Sequence, residues 1–203
     1  MIARLVGWVL SAGLQVLTGA HGRWSGCAPE ARQRVYCVNH SSHLDFLLLW
    51  TALPAAMRRV TRPVAAADYW NSGLVRRYVI HDVFRGVLVD RGGKSAQPLE
   101  PAVAALAAGD SLIFFPEGTR GPGAGLLPFK SGIYYLAKER PDVDLVPVWI
   151  DNSYRVMPKG RFFPVPLVCS MTFGAPLRLR EGEEKEAFLS RLRNAMLELQ
   201  PPQ

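Results

Sequence analysis

Val35-Tyr36-Cys37-Val38-Asn39-His40-Ser41-Ser42-His43-Leu44-Asp45 is the stretch on which the fold of this chain turns. It opens as an apolar, strand-like run and closes in a polar turn that leads into residues 44–56, which read as a helix ended by Met57-Arg58-Arg59. The same alternation continues outward. Strands are expected at 34–38, 63–67, 87–90, 112–115, 145–150 and 168–173. Helices are expected at 69–84 (with a break at Asn71-Ser72-Gly73), at 99–108 (closed by Gly109), at 131–138 and at 184–199. Residues 22–29, rich in Gly, Ser and Pro, read as a loop. Such alternation predicts one α/β domain, a mixed and largely parallel sheet flanked by helices. Pro147 within an apolar run predicts an edge strand or a bulge there.

The turn itself carries chemistry. His40 and Asp45 stand five positions apart. A histidine so placed can take a proton from a hydroxyl group while the carboxylate orients the ring and stabilises the imidazolium. No Ser or Cys sits at a recognisable nucleophile elbow, so the pair suggests a general base acting on a substrate's own hydroxyl. Two other readings use the same residues. Ser41 or Ser42 suits a helix N-cap, with Asp45 favourable in the first turn. His40, His43 and Asp45 are also conceivable metal ligands, although His21, His81, Cys27, Cys37 and Cys169 add no ligand-like spacing.

Two further blocks end strands in cations. Gly86-Val87-Leu88-Val89-Asp90-Arg91 does so, and so does Phe114-Phe115-Pro116-Glu117-Gly118-Thr119-Arg120 after Ser111-Leu112-Ile113. Ligands of α/β proteins sit where strands feed loops. Gly118 permits a sharp turn or a close approach, and Arg120 offers a planar fork for phosphate oxygens. Lys130, just before a helix-like stretch, would add an ammonium beside it.

These blocks, in this order, resemble the glycerolipid acyltransferases of the PlsC type, the 1-acylglycerol-3-phosphate acyltransferases and their relatives. The family's Asn-His-x4-Asp motif is matched by Asn39, His40 and Asp45. Its Gly-x4-Arg motif is matched by Gly86 and Arg91, its Phe-Pro-Glu-Gly-Thr-Arg motif by residues 115–120 without change, and its apolar segment around a Pro by Val146-Pro147-Val148. The resemblance covers roughly residues 30 to 180. It implies that His40 is the general base on the acceptor's free hydroxyl and that Asp45 holds it. Arg91 and Arg120 are then expected to bind the acceptor's phosphate, with Glu117, Gly118 and Thr119 completing the acceptor site. Asn39 and Ser42 are candidates for hydrogen bonds around the base or the developing oxyanion. The implied reaction moves an acyl chain from acyl-CoA or acyl-carrier protein to lysophosphatidic acid, giving phosphatidic acid, with no acyl-enzyme, no metal and no cofactor. Other lysolipid acceptors, such as a lyso-ornithine lipid, or glycerol phosphate keep the same chemistry. An inactive lipid-binding protein and a His/Asp metal hydrolase are the rivals of different class.

The chain has 203 residues and a net charge of +7, which favours polyanions or anionic lipid surfaces. No nucleic-acid motif is present. Arg58, Arg59, Arg62, Arg76 and Arg77 are candidates for facing lipid headgroups or a CoA-type donor. Residues 5–17 are apolar except for Ser11 and Gln15, a run shorter than the roughly 20 residues a spanning helix needs. Residues 1–24 are therefore expected to form an interfacial membrane helix with Trp8 and Trp24 as anchors, and residues 25–203 the acyltransferase domain. The alternative is a helix packed on the domain's own core. The three scattered cysteines fit a reducing compartment, hence the cytoplasmic face of the inner (plasma) membrane. Residues 158–166, a Pro-rich bend with two aromatics, are a further candidate for contact with membrane or acyl chain.

Overall fold

The computed structural model of the chain describes residues 2–90, 97–121, 125–157 and 164–201. Seven strands form one sheet: β1 (His21–Trp24), β2 (Arg34–Val38), β3 (Thr61–Ala66), β4 (Val87–Val89), β5 (Ser111–Phe114), β6 (Asp144–Ile150) and β7 (Ser170–Phe173). Their order is β1-β7-β6-β2-β5-β3-β4. Every neighbouring pair is parallel except β6 with β7. The expected mixed, largely parallel sheet is therefore present, and the C-terminal ends of β6, β2, β5, β3 and β4 all open on one edge.

The period of two along the central strands separates two cores. Tyr36, Val38, Ile113, Val146 and Val148 face one side, where they pack with Leu47, Leu48 and Leu49 of helix α2 (Asp45–Ala52) and Leu14 of α1 (Ile2–Thr18). Val35, Cys37, Leu112, Phe114, Leu145 and Trp149 face the other. That side is covered by α6 (Glu100–Ala107), α7 (Gly132–Glu139) and α9 (Lys185–Leu197). Phe188 and Leu192 lie one turn apart on α9 and are fully buried. Burial of each such side chain contributes about 1.5–3 kcal/mol.

Several expectations are corrected. The helix expected over 44–56 is two helices, because the residue before a proline is driven out of the α region. Leu53 is extended (φ −70°, ψ 142°), α2 stops there, and Pro54 begins α3 (Ala55–Val60). The stretch 22–29 is not wholly loop, since His21–Trp24 pairs in parallel with β7. A domain boundary after residue 24 therefore falls at the end of a strand of the main sheet. Trp24, expected as an anchor, is half-buried, its ring stacked on Phe173 at 3.8 Å. Pro147 lies on an interior strand between β7 and β2. Its carbonyl accepts the Gly174 N–H at 2.9 Å. That side is where the ladder to β7 gives out, so the missing N–H costs no bond to β2.

Residues 69–84 are helical with the expected break. They comprise α4 (Ala67–Trp70), α5 (Leu74–Tyr78) and a π-helical continuation, Val79–Val83. The chain then returns sharply, and a Cβ on Gly86 would run into the buried Ile80 side chain. Only glycine fits there, a packing reason for the glycine of the second motif. The arginine cluster divides. Arg58 turns inward to Ser11 Oγ and Trp50, and Arg62 pairs with Asp110. Arg59, Arg76 and Arg77 are exposed.

Helix α1 has two faces. Gly7, Ser11, Leu14 and Thr18 are buried against the domain, while Ile2, Leu5, Trp8, Val9 and Val16 are exposed. No helix among the described residues is long and apolar enough to cross a membrane. Of the Pro-rich bend, residues 158–163 lie outside the described residues.

Candidate active site

The first motif is built at the end of β2, in the middle of the parallel strands. Asn39 is buried there. Its Nδ2 donates to the Ile150 carbonyl at 3.0 Å, and its Oδ1 accepts the Ile150 N–H at 2.7 Å. The amide thus ties the ends of β2 and β6 together: both of these bonds go to the β6 backbone, and neither goes to His40 or Asp45, where the sequence suggested it. Beyond it the chain leaves the sheet, and His40 swings over the strand ends.

Asp45, the first residue of α2, is fully buried. Its Oδ2 accepts three bonds: His40 Nδ1 at 2.8 Å, Ser41 N–H at 2.7 Å and Ser42 N–H at 2.8 Å. The aspartate closes the turn at the helix start through two backbone N–H groups, and Ser42 Oγ adds a bond from the Leu44 N–H. The N-cap residue is Leu44, which makes no side-chain cap. Ser41 Oγ pairs with Ser153 Oγ, on the helical turn α8 (Ser153–Val156), at 2.8 Å. Ser42 Oγ is held by Leu44 N–H and the Met157 carbonyl. Since a carboxylate only accepts, Nδ1 of His40 carries a proton, so that in the neutral imidazole Nε2 is the nitrogen with the lone pair. The imidazole is stacked on Phe115 at 4.2 Å, so its plane is set from one side by packing and from its edge by Asp45.

Glu117 acts on the same residue through its backbone. Its carboxylate is buried (1% exposed). Oε1 accepts the His40 N–H at 2.7 Å and Oε2 the Leu127 N–H at 2.8 Å. The His40 carbonyl in turn accepts the Gly121 N–H at 2.7 Å. Both backbone groups of His40 are thereby fixed, one by Glu117 of the Phe-Pro-Glu-Gly-Thr-Arg motif and one by Gly121 just after it. Burial pushes the Glu117 carboxyl up from its ordinary range, and the N–H bonds from Leu127 and His40 pull it back in part. Neither Glu117 nor Thr119, which is exposed, is among the described residues that line the cavity over the strand ends. Gly118 does reach the cavity. Its N–H closes on the Phe115 carbonyl at 3.0 Å the turn made by Pro116 and Glu117, and its own φ of +68° redirects the chain after that turn. Arg91 lies outside the described residues.

A cavity of about 770 Å³ opens over the strand ends, within the range of about 300–1,000 Å³ usual for small-molecule sites. His40, Gly118, Arg120 and Lys130 line it over β2 and β5. Over β3 and β4 its walls are mostly apolar (Val64, Ala65, Val89, Ile80, Leu99 and Trp70), with Asp90 lining it directly after β4. A base, two cations and a hydrocarbon-lined extension therefore share one space. Lys130 is anchored by its N–H to the Pro116 carbonyl at 2.8 Å.

His43 stands at the mouth, and Tyr69, which sequence reasoning missed, stands beside it. The two rings stack at 5.9 Å, and the Arg76 guanidinium lies 4.4 Å over Tyr69. Nothing local in Ala67-Asp68-Tyr69-Trp70 signals this role, which depends on the return of α4 over the strand ends. His43 Nδ1 lies 3.4 Å from the Tyr69 hydroxyl, and among the described residues no three His, Cys, Asp or Glu side chains converge as metal ligands. Burial, and next the Arg120 cation, lower the pKa of His43 from 6.5. In an NMR titration His43 should titrate below that value, and Arg120→Ala should move it upward, since one unfavourable charge is removed. An unmoved midpoint in that variant would show that Arg120 does not reach this end of the cavity.

A family model described as "Acyltransferase" matches residues 26–151 of the chain. Among curated relatives, the 1-acyl-sn-glycerol-3-phosphate acyltransferase of Limnanthes douglasii is 26% identical over 181 residues, covering 87% of this chain and 59% of that protein. That of Cocos nucifera is 26% identical over 155 residues, covering 75% of this chain and 48% of that protein. The chain thus spans about half to three fifths of the length of these relatives. The crystal structure of the 1-acyl-sn-glycerophosphate (LPA) acyltransferase PlsC from Thermotoga maritima superposes with a TM-score of 0.74 at 22% identity, covering all of this chain and 81% of that one. That likeness is one of fold.

Proposed function

The chain belongs to the acyltransferase family, and we propose that it transfers an acyl chain from acyl-CoA or acyl-carrier protein to the free hydroxyl of lysophosphatidic acid, giving phosphatidic acid. The observation that carries this reading is His40, its Nδ1 held by buried Asp45, in one cavity with Arg120 and Lys130. The names of the relatives support the acceptor. In the proposed reaction the acceptor hydroxyl gives its proton to Nε2 as its oxygen attacks the thioester carbonyl. Buried Asp45 stabilises the imidazolium that forms. The tetrahedral intermediate collapses, the carbon–sulfur bond breaks, and the imidazolium returns the proton to the leaving thiolate. General-base help of this kind contributes about 10²–10⁴-fold.

Arg120 and Lys130 take the acceptor's phosphate, together with Arg91 by the motif it matches. The apolar walls over β3 and β4 take hydrocarbon. The acyl donor is a co-substrate, and the reaction as proposed needs no metal or other cofactor. The exposed face of α1 lies in the headgroup region of a bilayer, on the cytoplasmic side of the inner membrane. Five apolar side chains in water on one helix face support that placement.

An acyl-transfer assay over a panel of acceptors tests the reading. Arg120→Ala should raise KM for lysophosphatidic acid about ten- to a hundred-fold, the worth of one charged hydrogen bond. An acceptor without phosphate should be little affected. Equal losses on both would remove the phosphate role, and preferred turnover of a lyso-ornithine lipid would keep the chemistry while changing the acceptor.

A further inference from the structure

Leu74 and Val75 open α5 with 83% and 76% of their surface exposed, more than any other large apolar side chain of the described residues except Val16. Single exposed leucines are ordinary. Two adjacent ones, followed directly by Arg76 and Arg77, are a surface with a chemistry of its own. We propose that the α4–α5 turn is a second membrane contact, distinct from α1. It sets Leu74 and Val75 among the acyl chains of an anionic bilayer and Arg76 and Arg77 at the level of its phosphates, so that the cavity mouth opens onto lipid.

Three observations converge. The first is charge. Residues 74–78 are Leu-Val-Arg-Arg-Tyr, with no acid, and Arg77 is exposed and makes no ion pair among the described residues. The nearest acid further along the helical segment, Asp82, lies more than a turn beyond Arg77. An apolar tip with a basic collar fits an anionic lipid surface, and a neutral protein partner would leave the collar uncompensated. The second is attachment. The segment continues through Val79–Val83, which packs on α1. Val83 Cγ1 stands 3.1 Å from where a Cβ on Gly7 would lie. The tip is therefore braced on the helix that exposes Leu5, Trp8 and Val9. The third is position. Tyr69 and Trp70 end α4 just before the turn and line the cavity, and Arg76 lies on the Tyr69 ring while bonded to Ser72 Oγ at 2.8 Å. A single-chain lipid arriving at this rim passes from bilayer to cavity along aromatic and cationic side chains without leaving an apolar surface.

This rests on the reading that the acceptor is a lipid, and two readouts separate the ideas. The first is co-sedimentation with vesicles of phosphatidylcholine containing about one-third phosphatidylglycerol. Leu74→Ser with Val75→Ser should weaken binding about tenfold or more, and Arg77→Gln about fivefold at low salt. Trp8→Ser in α1 serves as the reference for the first contact. The second readout is acyl transfer with the acceptor either embedded in vesicles or short-chained and free in solution. The double variant should lose rate on the embedded acceptor and keep it on the free one. Its target side chains are exposed, so the fold should be unchanged by circular dichroism. Wild-type affinity of the double variant for vesicles would overturn the proposal, as would equal rate losses on embedded and free acceptors. Vesicle binding that weakens as stated in a protein with no transferase activity would uphold the surface and overturn the enzyme reading instead.

Discussion

His40→Ala should lower kcat/KM for acyl transfer to lysophosphatidic acid by about 10²–10⁴-fold, the ordinary contribution of a positioned general base. Only a ring nitrogen is lost from the reaction. Arg120 and Lys130 remain on the cavity, and Asp45 Oδ2 keeps the Ser41 and Ser42 N–H bonds at 2.7 and 2.8 Å. The fold should persist with a loss of about 1–3 kcal/mol, because a buried carboxylate gives up one of its hydrogen-bond donors. Steady-state kinetics and thermal melts on the same preparation check both halves. A variant that retained most of its transfer would sink the base assignment, and with it the reading of the cavity. Complete loss of the native fold would show that the His40–Asp45 bond is mainly structural.

Glu117→Gln is the second large effect, and its direction separates two roles. As a wall of the acceptor site, the role expected from the motif, Glu117 would chiefly affect KM. As observed, its carboxylate is sealed from the cavity and receives two backbone N–H groups, those of His40 and Leu127. Glutamine preserves the shape but presents an NH₂ to one of those donors, and an unsatisfied buried donor costs about 1–3 kcal/mol. The variant should melt earlier. Its kcat should fall about ten- to a hundred-fold as His40 loses its register, since sub-ångström misplacement of a reacting group is costly. KM for the acceptor should be nearly unchanged. A raised KM with normal kcat and normal stability would restore the acceptor role. The carboxyl is pushed upward by burial, yet its bonding here is that of the ionised form, because both partners donate.

Much of this was legible from local pattern, for reasons that particular residues make plain. Strand β2 reads as a strand because all five of its residues are buried and therefore apolar or paired. The bond between His40 and Asp45 is legible because both ends lie within one turn and the first residue of one helix, where spacing alone limits where the side chains go. Strand β1 was not legible. His-Gly-Arg-Trp has no strand signature, and it is a strand only because β7, some 150 residues away (His21 opposite Ser170), offers an open edge. Pro147 misled because proline is harmful only on the side where a ladder bond is needed, and which side that is depends on where β7 ends.

Local order, then, was written in the chain itself: alternating strands and helices, the stop at Leu53 before Pro54, and the bond that aims His40. These follow from backbone sterics and from contacts a few residues long. What Asn39, Glu117 and Tyr69 do was decided only when strands β2, β5 and β6 came side by side and α4 folded back over their ends. Asn39 and Ile150 are 111 residues apart and His40 and Glu117 are 77. No local propensity reports on whether a polar side chain will meet a backbone N–H at that remove or face a substrate. Burial and the partner's geometry settle it, and both are properties of the assembled sheet.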